Sequence, residues 1–343
     1  MLLRRSRGES APAWQFAKGG GGSRAGAFRP KRWHPCFRSW RTLPALAIVI
    51  LAPPSSWAGE DPFLTTYTHQ LEEPGNLEIG TRSVTGKPAG GNRFLGVAAE
   101  FEYSLSRWWT TSVYVDGETT GSQNTLLTGY RWENRFRLLP HEHWINPVLY
   151  VEFENTNGAD RTLLDVVGHD DKKNLIEPNH DGRLQKNREL ETKLILGSSF
   201  KGWTIAENFI ADKNVRHQPF EFGYAAGVSR PLAASAKPQR CNVCAQNIQL
   251  GVEVYGGLGT HDDFSLRGTS HYVAPVVAWT LANGTTFRVS TGFGVTAGSA
   301  SFLLRLGLSY GFDEFGRAVR NLFHSQASAA GSGAGPLATS VTQ

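Results

Sequence analysis

Alternation of apolar and polar residues with a period of two runs through most of this chain, in segments of about 9–14 residues. Successive side chains of a β-strand point to opposite faces, so this period indicates strands with one apolar and one polar face. In segment 301–312 the even-numbered positions from 302 to 312 hold only Phe, Leu and Tyr, whereas Arg305, Gly307 and Ser309 lie on the opposite face. Helical periodicity is almost absent, and the sequence therefore predicts an all-β fold.

The alternating segments predict twelve strands. They lie near 76–84, 93–105, 108–118, 125–138, 146–156, 189–200, 202–212, 219–230, 247–260, 270–281, 285–295 and 301–312. A soluble β-sandwich would show the same alternation. Aromatic residues such as Trp108, Trp144 and Phe312 lie at or near the strand ends, where the interfacial girdles of a membrane barrel are found. We therefore predict an antiparallel up-and-down transmembrane β-barrel of about 12 strands.

Residues 43–51 (LPALAIVIL) form a short apolar run that follows Arg38 and Arg41 and precedes the small residues Ser56 and Ala58. This arrangement predicts a secretory signal peptide at 1–58, with an overlong basic region, cleaved after Ala58. We expect 59–75 to be a periplasmic N-terminal lead-in, with 62–69 as an alternative short strand. Residues 76–312 should form the barrel and 313–343 a flexible C-terminal tail, which is rich in Ala, Gly and Ser from Ser325 onward. A short helix from Asp313 to His324 is an alternative for the start of this tail.

The predicted cleavage changes the charge of the chain. Residues 1–58 contain 10 of the 35 Lys and Arg residues and 1 of the 30 Asp and Glu residues, which leaves 25 basic and 29 acidic residues. The basic pI thus belongs to the leader, and the mature chain is not expected to bind nucleic acid. Cys36 leaves with the leader, while Cys241 and Cys244 form a close pair whose simplest interpretation is a disulfide.

The connections between the predicted strands differ in length in an ordered way. Bacterial barrels have an even strand count, short periplasmic turns and longer outer loops. With a periplasmic N-terminus, the tight turns at Ser106-Arg107, Lys201-Gly202 and Asn283-Gly284 all fall on the inner side, and the longest connection, 157–188, falls on the outside. This distribution supports the barrel over the sandwich.

The last predicted strand carries a polar residue, Arg305, followed by Gly307 and then by Tyr310 and Phe312. This pattern resembles the C-terminal assembly signal of bacterial outer-membrane β-barrel proteins, although 31 residues follow it here. Together with the signal peptide, the resemblance implies a porin-like protein of the bacterial outer membrane, of no characterised subfamily. It also implies outer-membrane lipid, lipopolysaccharide and the barrel-assembly machinery as partners. The sequence gives no oligomeric state.

The polar faces of the predicted strands are heavily charged. A charge that faces lipid near the midplane costs about 2–4 kcal/mol, so these side chains should point into the lumen. Strand 125–138 contributes a row of arginines, and its predicted neighbours contribute carboxylates that should pair with them. The lumen-facing charges are predicted to be Glu100, Glu102, Asp116, Arg131, Glu133, Arg135, Arg137, Glu152, Glu154, Arg288 and Arg305.

Two functions fit such a lumen. The arginine row facing acidic walls could create a transverse field for passive diffusion of small polar or charged solutes through an outer-membrane channel. Alternatively, the charges pair and fill the lumen of a non-conducting structural barrel. A barrel-borne hydrolase is a third alternative, and its candidate pairs of a hydroxyl and a neighbouring imidazole are Ser270-His271 and Thr260-His261. No catalytic motif is present, so the sequence predicts no enzyme, no cofactor and no metal site.

Overall fold

The twelve predicted strands close into one antiparallel barrel in the computed structural model, which describes residues 61–162, 167–168, 174–216, 218–233 and 243–321. The strands are β1 (Leu77–Gly86), β2 (Phe94–Ser106), β3 (Trp109–Thr120), β4 (Leu126–Arg137), β5 (Asn146–Asn157), β6 (Lys186–Phe200), β7 (Trp203–Asn214), β8 (Phe220–Pro231), β9 (Ile248–Thr260), β10 (His271–Thr280), β11 (Thr285–Gly294) and β12 (Phe302–Phe312).

Each strand pairs with its neighbours in sequence, and β12 closes the barrel on β1 with Leu77 opposite Phe312. Closure leaves no unpaired strand edge, which is the condition for a β-structure to cross hydrocarbon. The up-and-down antiparallel barrel of twelve strands predicted from the alternation is thereby confirmed. The largest difference in a boundary is at β6, which begins at Lys186 rather than near 189, because its first residues continue the ladder opposite Asn155–Asn157 of β5.

Burial alternates along the strands in the opposite sense to that of a soluble protein. In β2, Glu100 and Glu102 are buried, whereas Val97, Phe101 and Leu105 are exposed on the outside. The same inversion holds around the barrel, so its outer surface is mostly apolar and its interior mostly polar, although Glu207 on β7 is an exposed charge of the outer face. This is the surface that lipid requires, since lipid-facing and lumen-facing residues alternate in transmembrane barrels.

Among the described residues, no helix is both long enough and apolar enough to cross a membrane.

Tight turns gather at one end of the barrel, which we call the turn end. Lys201 and Gly202 join β6 to β7 with φ angles of 49° and 79°, the left-handed pair that a two-residue hairpin turn requires. Gly284, between β10 and β11, has φ 86° at the same end. The opposite, loop end carries the long connection 158–185, with a 3-10 turn at Asn174–Ile176 and a short helix α1 (Asn179–Gly182).

Several sequence predictions lie wholly or partly outside the described residues. The signal peptide 1–58 is one of them, as are Cys241 and the tail from residue 322 onward. Cys244 is described and is disulfide-bonded. The predicted lead-in is described from residue 61, and its position differs from the expectation: it lies inside the barrel, not below it.

Candidate functional site

The residues predicted to face the lumen lie on the inner wall of the barrel. All but Arg137 are at most 9% exposed, and Arg137 lines the cavity at the turn end. The buried members are Glu100, Glu102, Asp116, Arg131, Glu133, Arg135, Glu152, Glu154, Arg288 and Arg305. Because buried charges must be paired or hydrogen-bonded, their contacts decide what the lumen can do.

Arg131 on β4 is the central cation of this wall. Its Nε and Nη2 donate to the two carboxylate oxygens of Asp116 on β3, at 2.8 and 3.1 Å. Its Nη1 donates to Glu152 on β5 at 3.0 Å, and the guanidinium lies 4.1 Å from the ring centroid of Tyr114. The predicted pairing between the arginine row and the acidic neighbours thus takes a bidentate form on one side.

A second group of contacts surrounds Arg135, closer to the turn end. Arg135 hydrogen-bonds Glu102 and forms an ion pair with Glu133 at 2.9 Å between Nε and Oε1. The Tyr114 hydroxyl lies 2.6 Å from Glu100 and 2.8 Å from Glu133. A hydroxyl has one proton to donate, so Tyr114 can donate to only one of these two carboxyl groups at a time.

Three carboxylates on β5 and β6 lie close together on the loop-end side. One oxygen from each of Glu152, Glu154 and Glu191 can be chosen so that all three lie within 4.8 Å of one another. Lys193 Nζ lies 2.7 Å from Glu191, and Arg131 contacts Glu152 as described. Carboxylates at this spacing could hold a cation. Lys193 and Arg131 already supply two positive charges to these carboxylates. The absence of a metal site stays a prediction.

A segment before β1 enters the lumen and crosses it. We call residues 61–70 the strap; its Phe63, Leu64, Thr66, Tyr67 and His69 are all buried. It is not a strand, in contrast to the alternative predicted for 62–69. The strap forms its hydrogen bonds to wall side chains instead of to a neighbouring strand, which is why no alternation marks it in the sequence.

Glu253 on β9 is the principal acceptor for the strap. Its carboxylate accepts the backbone N–H groups of Leu64, Thr65 and Thr66 at 3.4, 2.9 and 2.8 Å. Successive N–H groups that converge on one carboxylate form charge-assisted hydrogen bonds, which are stronger than neutral ones. The strap is thus held at mid-barrel by a buried charge.

Further contacts hold the strap on either side of Glu253. Asn208 on β7 accepts the Tyr67 N–H at 2.7 Å and donates to the Tyr67 carbonyl at 2.8 Å. Arg288 donates to the Asp61 carbonyl at 2.6 Å, and His69 Nε2 lies 2.8 Å from Glu142. Asn208 is not among the predicted lumen-facing residues, because it carries no charge.

Burial affects the titration of two groups in the strap. It raises the pKa of the Asp61 carboxyl, although the N–H groups of Phe63 and Thr68 that donate to this carboxylate oppose the rise. Burial, together with the Glu133 carboxylate, raises the pKa of Tyr67 to about 12. Tyr67 is therefore a neutral phenol that donates to Glu133 at 3.1 Å.

Residues 158–162, 167–168 and 174–185 fold inward at the loop end of the lumen, and we call them the lid. Gly168 donates to Phe222 of β8 and accepts from Gly259 of β9, at 3.0 and 3.1 Å. Asn179 of α1 donates from its backbone to Gln123 at 2.6 Å and from its side chain to Glu118. These contacts attach the lid to the inner wall at several points.

The strap lies between two cavities of the lumen. The vestibule, about 1400 Å³, begins at the turn end, where Asn283 and Phe312 line it, and reaches the strap. The loop-end cavity, about 80 Å³, lies between the strap and the lid and is lined by charged residues that include Lys193. Leu64 and Tyr67 of the strap line both cavities.

The pairs considered for hydrolysis do not assemble a nucleophile and a base. His271 lies between Tyr224 and Thr269, at 3.1 Å from the Tyr224 hydroxyl and 2.8 Å from Thr269 Oγ1. Thr269 is fully buried in the described structure. Ser270 donates to the Gly298 carbonyl at 3.1 Å, and His261 contacts the exposed Asp262.

Comparison with known proteins adds likenesses of fold. No family model matches the chain, and no curated protein sequence matches it. Among solved structures it is similar to the KdgM porin, with a TM-score of 0.41 and 9% identity over 68% of this chain and 99% of that one. It is also similar to LpxR from Salmonella typhimurium, with a TM-score of 0.35 and 8% identity over 68% and 99% of the two chains. These values concern the fold alone, and the closed barrel of twelve strands is established by the strand pairing itself.

Proposed function

We propose that the protein is an outer-membrane channel for passive diffusion of small polar or charged solutes, and that its described conformation is closed. The observation that carries this proposal is the vestibule of about 1400 Å³, lined by charged side chains and leading from the turn end to the middle of the barrel. A barrel with only a structural role would not require a polar cavity of this size.

The proposed location in the outer membrane rests on the apolar exterior and on the predicted signal peptide. Outer-membrane barrels are the bacterial proteins that combine an exported chain with a closed antiparallel barrel of even strand number. Lipid, lipopolysaccharide and the barrel-assembly machinery are proposed as partners on the same grounds. Phe312 ends the pattern that resembles an assembly signal, and it lies on the strand that closes the barrel.

A second candidate, the non-conducting structural barrel, is favoured by a different observation. The contacts of Arg131 and Arg135 link β2, β3, β4 and β5 through buried carboxylates and occupy one side of the lumen at mid-height. In this candidate the ion pairs are permanent filling. The two candidates differ in whether ions can pass through the lumen once the strap has moved out of its buried position.

The experiment that tests the channel uses the purified, refolded protein in planar bilayers and in solute-loaded liposomes. We expect discrete current steps and faster swelling with small polar solutes than with large ones. Heat-modifiability on a gel provides the control that the barrel is folded. A folded protein that gives neither current steps nor swelling, including when the strap is released as described below, would contradict the channel and leave the structural barrel.

A further inference from the structure

With the predicted cleavage after Ala58, the strap would be attached to the barrel at one end only. It continues through residues 71–76 to Leu77, the first residue of β1, and Asp61, its first described residue, lines the vestibule. With the predicted cleavage after Ala58, only two residues would precede Asp61 in the mature chain. A segment with a free end can leave a lumen without breaking any strand pairing, unlike a loop that is tied at both ends.

The barrel wall is shaped to receive the strap. A Cβ atom at Gly227 would lie 2.7 Å from Phe63 Cζ, and one at Gly307 would lie 2.8 Å from Leu64 Cδ2. On the other side of the lumen, a Cβ atom at Gly197 would lie 2.7 Å from the His69 Cβ. Three wall positions on three different strands therefore have no side chain where the strap needs space.

The contacts of the strap are suited to being broken. Most of its hydrogen bonds to the wall go to hydrophilic side chains, among them Glu253, Asn208 and Glu142, which water can solvate once the strap has left. The vestibule lies on the turn-end side of the strap and can take it up. The side chains of Phe63 and Leu64 oppose the exit, since they would lose their buried contacts with the wall.

We propose that the strap is the gate of the channel. In place, it separates the vestibule from the loop-end cavity; when it withdraws into the vestibule, the two cavities join and the barrier at mid-barrel is removed. This inference rests on the proposed function, because a gate has meaning only in a conducting barrel. It assigns the closed state to one short segment and makes Glu253 the side chain that holds the gate shut.

A reversible lock tests the gate. In the double variant His69→Cys and Gly197→Cys, the two β-carbons lie close enough for a disulfide after a shift of about 1 Å, since bridged β-carbons are about 3.8 Å apart. We expect the oxidised lock to show no current steps and the reduced lock to show them. Wild-type protein with and without reductant controls for the disulfide of Cys244.

A release variant gives the opposite change. Glu253→Gln removes the charge that attracts three N–H groups, and we expect its open probability to rise about tenfold, as the loss of one charge-assisted hydrogen bond would produce. Glu207→Gln is the matched control, because Glu207 is exposed on the outer face of β7 and away from the strap. Its open probability should equal that of the wild type.

Movement of the strap is also measured without current. Thr66 is 2% exposed, so Thr66→Cys should react slowly with a membrane-impermeant thiol reagent and faster when Glu253→Gln is added. Equal currents from the oxidised and reduced lock would overturn the gate and leave the channel intact, as would an unchanged open probability in Glu253→Gln. An absence of current from every folded form would instead overturn the proposed function, and the gate with it.

Discussion

Arg131 is the cation on which the carboxylates of β3 and β5 converge, and Arg131→Met removes its charge while keeping most of its length. The variant leaves Asp116 and Glu152, both 0% exposed, without their cation. If the lumen is held together by these ion pairs, the folded barrel should become measurably less stable. A lumen filled mainly by apolar packing would tolerate the methionine.

The expected size of the effect follows from the contacts that are lost. Arg131 makes two hydrogen bonds to Asp116 and one to Glu152, and it stacks on Tyr114. Removal of one partner from a buried ion pair costs about 3–5 kcal/mol, because the remaining charge stays buried without compensation. Since methionine fills much of the vacated volume, the cavity contribution is small. We therefore expect the free energy of unfolding to fall by about 3–5 kcal/mol.

The assay is equilibrium unfolding in urea of the protein refolded into lipid vesicles, followed by tryptophan fluorescence. Adding Asp116→Asn to Arg131→Met should recover part of the loss, since one unpaired carboxylate then becomes a neutral amide. Arg183→Met, at an exposed lid position, is the control and should change stability by no more than about 0.5 kcal/mol. A loss of less than about 1 kcal/mol from Arg131→Met, or a further loss on adding Asp116→Asn, would refute the ion-pair account.

Two further predictions concern the lipid face and assembly. Val115→Arg, at the middle of the outer face of β3, should lower the free energy of unfolding by about 2–4 kcal/mol. Thr119→Arg, nearer the loop end of the same face, should lower it by about 0–1 kcal/mol. Equal losses from the two variants in the urea assay would contradict the placement of the membrane. Phe312→Ala should reduce the heat-modifiable fraction recovered from membranes, because Phe312 ends the closing strand and packs edge-on against Tyr310 at 4.7 Å. Phe315→Ala, beyond the barrel, is its control, and an equal folded fraction for both would argue against the assembly signal.

The sequence predicts the wall of this barrel well because one local rule governs it. Each strand must alternate faces to satisfy lipid outside and charge inside, so the period of two survives in nearly every strand. The exception at the start of β6 has the same cause, since Lys186 to Arg188 extend the ladder beyond the apolar belt and need not alternate. The contacts of Arg131 with β3 and β5 follow likewise from neighbouring strands.

The lid could not be predicted in the same way. Its contacts join residues far apart in the chain, such as Gly168 with Phe222 and Asn179 with Glu118, and no repeat in the sequence brings these pairs together. Such long loops pack by individual side-chain contacts, and their conformation depends on the surface that the barrel offers them. The sequence therefore indicates where the longest connection lies but not that it folds inward.

One feature of the sequence does indicate the strap, and it lies in the barrel wall at Glu253 of β9. Glu253 faces the lumen, yet its cross-strand neighbours are Gly227 on β8 and Ala274 on β10, which offer neither a cation nor a hydrogen-bond donor on their side chains. A buried carboxylate with only small neighbours requires donors from elsewhere. Arg131 presents the contrasting case, because its acceptors come from the adjoining strands. A lumen-facing acid between small residues thus predicts an inserted segment, and the backbone N–H groups of the strap are the donors that this rule demands.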